Sequence, residues 1–216
     1  MVGGLSRERV LGAALQLADQ GGIDSLSMRK LAQALEVKAM SLYNHVANKD
    51  AIIDGIVDRV IREIELPELD IDWQVAMTRR AKSAHQVLLG HPWATLEIVS
   101  RVNVGPGMLR YVDATLACLR QAGFSWEMAD HAWNAMDSHI YGFTLQALNF
   151  PFEEGEYAEA AAGYVAMVPA EKYPYLHQLT GLVMAQAYDG IHDFEFGLRL
   201  ILAGLEQLRD GERDQS

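Results

Sequence analysis

Residues 29–52, RKLAQALEVKAMSLYNHVANKDAI, crowd Lys, Arg, Tyr, His and Asn into one short segment of a chain whose formal net charge is −11. Just upstream, Met28 opens an apolar pattern with Leu31 and Leu35 at i, i+3 and i+7, which is one face of a helix about two turns long. Ser27 is the residue type that caps such a helix start. The pattern breaks at Glu36 and resumes with Val37, Leu42 and Val46, so a second short helix over about residues 39–44 packs across the first after a tight turn. Ala32 leaves room for the crossing. The spacing predicts a helix-turn-helix. With Val37, Leu42 and Val46 turned inward, Lys38, Ala39, Met40, Ser41, Tyr43, Asn44 and His45 face outward. Such a face is a poor core and a good reader of a DNA groove, although a helical hairpin with a merely solvated charged face gives the same spacing.

The flanks extend the motif. Residues 5–20 place Leu5, Val10, Leu11, Ala14, Leu15 and Ala18 largely on one side of a helix, and Gly21-Gly22 supplies the stop. Asn48 caps a following helix whose Ile52, Ile53, Ile56, Val57, Val60 and Ile64 hold a helical stripe. A three-helix head leading into a connecting helix is the expected result.

The segments MRKLAQALEV, SLYNHV and NKDAI resemble the DNA-binding domain of the TetR (tetracycline repressor) family of bacterial regulators, over roughly residues 5–64. The resemblance implies that Arg29, Ala39, Met40 and Ser41 lie nearest base edges and that Tyr43, His45 and Lys49 fix the head on phosphates. Ser27, Lys38 and Asn44 complete the expected DNA-binding set. Glu36 stands where the family usually has Gly, so a side chain has to adopt a positive φ there, at a cost of about 1 kcal/mol.

Length and charge agree with a helical regulator, because 216 residues make one large or two small domains. Residues 1–50 hold six Lys or Arg against five Asp or Glu, so the acidity belongs to the rest of the chain. Phosphate neutralisation depends on the surface that touches DNA, not on the whole-protein sum. No run of about 18 apolar residues exists and MVGGLSRERV lacks an apolar signal core, so no membrane association and a bacterial cytoplasmic location are expected. The single cysteine, Cys118, lies between Leu116 and Leu119 and reads as a buried structural thiol.

The expected organisation is all-α: a helix-turn-helix DNA-binding domain over residues 1–47, a connecting helix over 48–65, and a larger helical ligand-binding and dimerisation domain over 66–216. In the last part, residues 73–89, 93–101, 108–122, 125–149 and 194–208 read as helices. FPFEEGEYAEAAAG reads as a mobile loop with a weak helical tail. In the final helix Phe194, Leu198, Ile201, Leu205 and Leu208 are spaced 4, 3, 4 and 3 apart, as in an a/d seam. Gly197 and Gly204 sit beside that seam, and Ala132, Ala135 and Gly142 form a small-residue track on the helix from Ser125. Packing within one chain explains both stripes. The alternative is a four-helix homodimer interface that includes Ala132, Ala135, Gly142, Gly197, Ile201, Gly204, Leu205 and Leu208, which the resemblance also implies.

A sensor domain needs a pocket between helices. Met108, Tyr111 and Thr115 share one helix face, and Trp133, Asp137 and Tyr141 share another. The resemblance, aligned on Gly123-Phe124-Ser125, places Thr115, Trp133 and Asp137 among pocket-lining positions and puts Arg80 where the tetracycline repressor carries an Asn. Most Met and aromatic stripes are ordinary core. The His residues with which that repressor holds its drug and metal have no counterpart in REIELPEL or SRVNVGPG, so a different effector is expected. No nucleophile elbow, phosphate loop or paired-Cys metal pattern is present, and neither an enzyme, nor a metal, nor a cofactor is expected. The leading reading is a homodimeric repressor that binds palindromic double-stranded operator DNA and is released by a small hydrophobic effector. A helical ligand-binding or interaction protein with a non-functional head is the alternative.

Overall fold

The computed structural model describes residues 4–151, 156–187 and 193–213. Among these the regular elements are helices and no strand occurs. Helix α1 (Arg7–Gly21) starts at Ser6, whose Oγ accepts the Arg9 N–H at 3.2 Å, and stops at Gly22 with φ 72°. Helix α2 (Met28–Ala34) begins at Ser27, whose Oγ accepts the Lys30 N–H at 3.2 Å. Glu36 then takes φ 56° in the turn, the strained conformation expected at that position.

Helix α3 (Ala39–Leu42) is shorter than the pattern predicted. No side chain caps its start at Lys38, and the N–H groups of His45 and Val46 turn back onto the Leu42 carbonyl at 2.9 and 3.1 Å. Tyr43, Asn44 and His45 therefore follow the helix as a hydrogen-bonded turn. Helix α4 (Lys49–Glu63) is capped by Asn48, whose Oδ1 accepts the Ala51 N–H at 2.8 Å. Leu11, Leu31, Leu42, Ile52 and Ile56 are fully buried and form the core of the head. Each is worth about 1.5–3 kcal/mol relative to exposure. Val37 and Leu15, expected inside, are only half-buried.

Helix α5 (Trp73–Gly90) is capped by Asp72, which accepts the N–H groups of Gln74 and Val75. Helices α6 (Ala94–Ser100), α7 (Pro106–Gln121) and α8 (Trp126–Leu148) follow, the last begun by Ser125, whose Oγ accepts the Met128 N–H at 3.1 Å. The chain divides into two compact units, Met1–Leu148 with Leu198–Ser216 and Asn149–Gly197. In the first, α4 packs on α1, α6 and α7, and α8 packs on α5 and α7. Cys118 is buried there, and burial pushes its thiol pKa up.

In the second unit, helices α9 (Glu156–Tyr164) and α10 (Pro174–Met184) pack on each other. The expected mobile loop falls partly on residues 152–155, outside the described residues, and its tail is α9. Helix α10 was not expected. Its signal was present, because Pro174 suits a first helical position and Leu176, Leu179 and Val183 share a face, but Leu176 and Leu179 stay exposed.

Helix α11 (Phe194–Arg213) buries Phe194, Leu198, Leu202 and Leu205. Leu202, which lies outside the 4-3-4-3 seam, joins the inward face, while the seam residues Ile201 and Leu208 are half-buried and 56% exposed. Arg209 lies over the rings of Trp73 and Phe124, themselves packed edge-to-face at 4.9 Å. No described helix is long and apolar enough to cross a membrane.

Candidate functional site

Burial of Leu31, Leu42 and Val46 in the head turns the rest of α2, α3 and the following turn outward. Arg29, Lys38, Ala39, Met40, Tyr43, Asn44 and Lys49 are exposed; Ser27, Ser41 and His45 are half-buried. Met40 is 75% exposed, which no core role explains. Among the described residues Arg29, Lys38 and Lys49 make no ion pair, so their charges remain free for an anionic partner. Helix α3, at four residues, presents about one helical turn of this face.

A second constellation lies between α5, α7 and α8, built around Asp137. Its Oδ1 accepts from Arg80 Nη2 at 2.5 Å and from the Tyr111 hydroxyl at 3.3 Å. Its Oδ2 accepts from Trp133 Nε1 at 2.8 Å and from the Tyr141 hydroxyl at 3.2 Å. Five of the seven expected effector residues therefore meet at one carboxylate. Arg80 is fully buried with its guanidinium 4.4 Å from the centre of the Tyr111 ring. Desolvation alone would lower the Arg80 pKa, but its interactions with Tyr111 and with the Asp137 carboxylate reverse the shift and hold it above the ordinary value. Burial, then Asp137, pushes the Tyr141 hydroxyl well above its usual range; Tyr111 is raised chiefly by burial, with Arg80 opposing. Both phenols are donors at any ordinary pH.

Beside this cluster is a cavity of about 380 Å³, whose walls include Met108, Trp133, Asp137, Tyr141, Arg101 and Asn103. Met108 is among its walls; Arg80, Tyr111 and Thr115 are not. Thr115 is fully buried and donates its hydroxyl to the Tyr111 carbonyl at 2.8 Å, a bond within its own helix.

Two residues that the sequence did not single out connect this region to the head. Asp58 of α4 accepts the N–H groups of Gly107 and Met108 at 2.6 and 3.2 Å, capping the start of α7, and pairs with Arg62 at 2.7 Å. Gly107 permits the approach, since a Cβ there would lie 2.7 Å from the Asp58 carbonyl oxygen. Arg101, just after α6, bonds Glu97 at 2.6 Å, Asp54 at 3.0 Å and Asp50 at 2.9 Å. Hydrogen bonds to Asp50 and Glu97 raise its pKa further. Both links bridge distant parts of the chain, and neither Asp58 nor Arg101 has a local pattern that marks it.

The expected interface residues separate by burial. Ala135 and Gly142 of α8 are exposed, as is Leu208 of α11, and among the described residues no atom beyond the chain neighbours and the helix's own backbone lies within 4 Å of a Cβ built at Gly142 or Gly204. Gly197, Ile201 and Gly204 are half-buried. Ala132 is fully buried and Leu205 nearly so, inside their own chain, so neither presents a surface for a partner. Among the described residues no group of His, Cys, Asp and Glu is arranged to hold a metal. His131 is exposed beside Glu127, and no shared ion site with Asp137 forms.

The fold and the exposed helix-turn-helix face together define a DNA-binding transcriptional regulator. Residues 10–56 match the model of the bacterial regulatory proteins of the tetR family, and residues 66–209 match the tetracyclin repressor-like C-terminal domain. The chain belongs to the TetR family. It is 31% identical to an HTH-type transcriptional regulator of Saccharopolyspora erythraea, over 93% of this chain and 84% of that one. It is 32% identical to the class D tetracycline repressor protein of Escherichia coli, over 94% and 89%. The crystal structure of ActR from Streptomyces coelicolor in complex with actinorhodin matches with a TM-score of 0.81 and 30% identity, covering 96% of this chain and 99% of that one. Members of this family are regulators, not enzymes.

Proposed function

We propose that this chain is a homodimeric repressor that binds palindromic double-stranded operator DNA and is released by a small hydrophobic molecule. The observation that carries the DNA half is the exposed face of Arg29, Lys38, Met40, Tyr43 and Lys49 held over a fully buried core. In this reading residues 1–47 read the operator, 48–65 connect, and 66–216 bind effector and dimerise. Arg29, Ala39, Met40 and Ser41 face base edges, with Met40 free to meet a thymine methyl. Tyr43, His45 and Lys49 hold phosphates, and Ser27, Lys38 and Asn44 flank them. The similarity to a repressor named for tetracycline and to ActR, solved with actinorhodin, supports an effector site in the second half. The cavity beside Trp133, Asp137 and Tyr141 is its proposed location. The exposed track of Ala135 and Gly142 with Ile201, Gly204 and Leu208 supports dimerisation through α8 and α11. A bacterial cytoplasm is the proposed location, where operator and effector meet.

Selection of bound sequences from random duplex DNA, followed by salt titration of the winner, tests the reading. The expected outcome is a two-fold symmetric site with half-sites one or more helical turns apart and affinity that falls steeply with salt. Retention of no sequence above background would support a head without DNA function.

A further inference from the structure

A second cavity, of about 360 Å³, shares Asn103 and Met108 with the one beside Trp133 but is otherwise walled by α1, α4 and residues 102–106. Arg7, Arg59 and Arg62 line it, and so do Glu8, Asp54 and Asp58. The three carboxylates are already engaged. Glu8 pairs with Arg59, which also donates to the Glu8 carbonyl at 2.8 Å. Asp58 pairs with Arg62 and caps α7. Asp54 is taken at 3.0 Å by Arg101, which is not part of this wall.

With every acid paired, one guanidinium is left over. Arg7 makes no hydrogen bond or ion pair among the described residues. Its Nη2 reaches across from α1 to α4 and lies 3.4 Å from where a Cβ on Gly55 would be. Apolar surface completes the site, because Val102 and Val104, 89% and 69% exposed, line the same cavity. A lone exposed valine needs no explanation. Two of them beside an unpaired cation in one concave site match a ligand that has both an apolar body and a negative charge. An inorganic anion would leave the valines in water, a hydrocarbon would leave Arg7 unanswered, and a cation would meet a wall with a surplus positive charge.

We propose that this cleft binds a small organic monoanion, a carboxylate on an apolar ring, whose charged group meets Arg7 and whose body lies on Val102 and Val104. The site is separate from the proposed effector cavity and stands whether or not a ligand releases the protein from DNA. A molecule held there touches α1 and α4 of the head and the segment that opens α7, so its binding resists their separation.

Calorimetric titration of the full-length protein with 2-naphthoate, 2-naphthylmethanol and 2-naphthylmethylammonium tests it. The carboxylate is expected to bind at least about fivefold tighter than the alcohol, as a charge-assisted bond to a partly screened guanidinium supplies, and the ammonium should bind weakest. Arg7→Gln should bring carboxylate and alcohol to within about twofold of each other. Val104→Asp should weaken the carboxylate at least about fivefold, through lost apolar contact and like charge. Both replaced side chains are exposed, so both variants should fold, which circular dichroism checks. Ser138→Phe narrows the other cavity, which Ser138 lines, and should leave naphthoate affinity unchanged within about twofold. No binding of naphthoate, equal binding of the alcohol, a preference that survives Arg7→Gln, or loss of binding in Ser138→Phe overturns the proposal. So does an Arg7→Gln variant that keeps its naphthoate affinity but lowers the salt slope of operator binding, which would give Arg7 to a DNA phosphate.

Discussion

Lys49 and Arg29 are both exposed cations on the head, yet the proposed contacts give them different mutational signatures. Lys49→Ala should weaken binding to every DNA and lower the salt slope by about one. Arg29→Ala should cost about 1–3 kcal/mol and relax preference at one base pair; equal loss on all sequences would remove Arg29 from base reading. A third residue, Glu36, sits at φ 56° in the turn between α2 and α3. Glu36→Gly should stabilise the protein by about 1 kcal/mol, because Gly adopts that conformation without a Cβ clash, and urea unfolding measures the gain. That strain was legible through the family resemblance, because Glu36 stands in the turn where the family usually has Gly. The caps at Ser27 and Asn48 were legible in the sequence itself, because their chemistry acts within three residues. The meeting of Arg80 with Asp137 was not, because 57 positions separate them and only the packing of α5 on α8 joins them.

At the scale of elements, periodicity identified the long helices and left open which apolar stripe faces the chain's own core. Ala132 and Ala135 lie three residues apart on α8, and one is fully buried while the other is exposed. Likewise α11 turns Leu202 inward and Leu208 outward, although Leu208 and not Leu202 belongs to the 4-3-4-3 seam. Gly204 offers the clean test, since among the described residues nothing beyond its chain neighbours and its own helix backbone lies within 4 Å of an added Cβ. Gly204→Leu should therefore leave the thermal unfolding of the subunit unchanged within about 0.5 kcal/mol while weakening dimerisation by about 1–3 kcal/mol through overpacking. Sedimentation at decreasing concentration reads the second quantity. A variant that stays dimeric at the wild-type dilution limit takes Gly204 out of the interface.

Across the whole molecule, His91 joins three elements: its Nδ1 meets Asp19 of α1 at 2.7 Å and its Nε2 meets Glu63 of α4 at 3.3 Å, from a position just after α5. Partial desolvation would lower its pKa, but the hydrogen bonds to Asp19 and Glu63 outweigh that and raise it above 6.5. Its stabilisation is thus fully present below pH 6.5 and is lost as pH rises through the raised folded value. Buried His85 has the opposite sign, because desolvation and then His139 lower its pKa, so its contribution fades as pH falls below 6.5 toward the folded value. Urea midpoints from pH 5 to 9 should show the gap between wild type and His91→Gln closing on the alkaline side. The gap to His85→Gln should change on the acid side; a flat difference for either variant contradicts its assignment. In a ligand-released repressor, whatever factor the effector takes from operator affinity, operator must take from effector affinity.

The joint at Asp58 has almost no play. Two N–H bonds hold the start of α7 to α4, and Gly107 lets the backbones approach so closely that no side chain fits between. A loose hinge would absorb small displacements as noise; this one either passes a movement of α7 on to α4 or breaks. Breaking means giving up hydrogen bonds to a carboxylate, about 1.5–3 kcal/mol each. If the effector enters the cavity beside Trp133, Asp137 and Tyr141, as proposed, the joint would act as a filter on messages rather than on molecules: a compound that slips in without displacing α7 would occupy the protein and say nothing, and only one that spends binding energy on moving that helix would be heard at the operator.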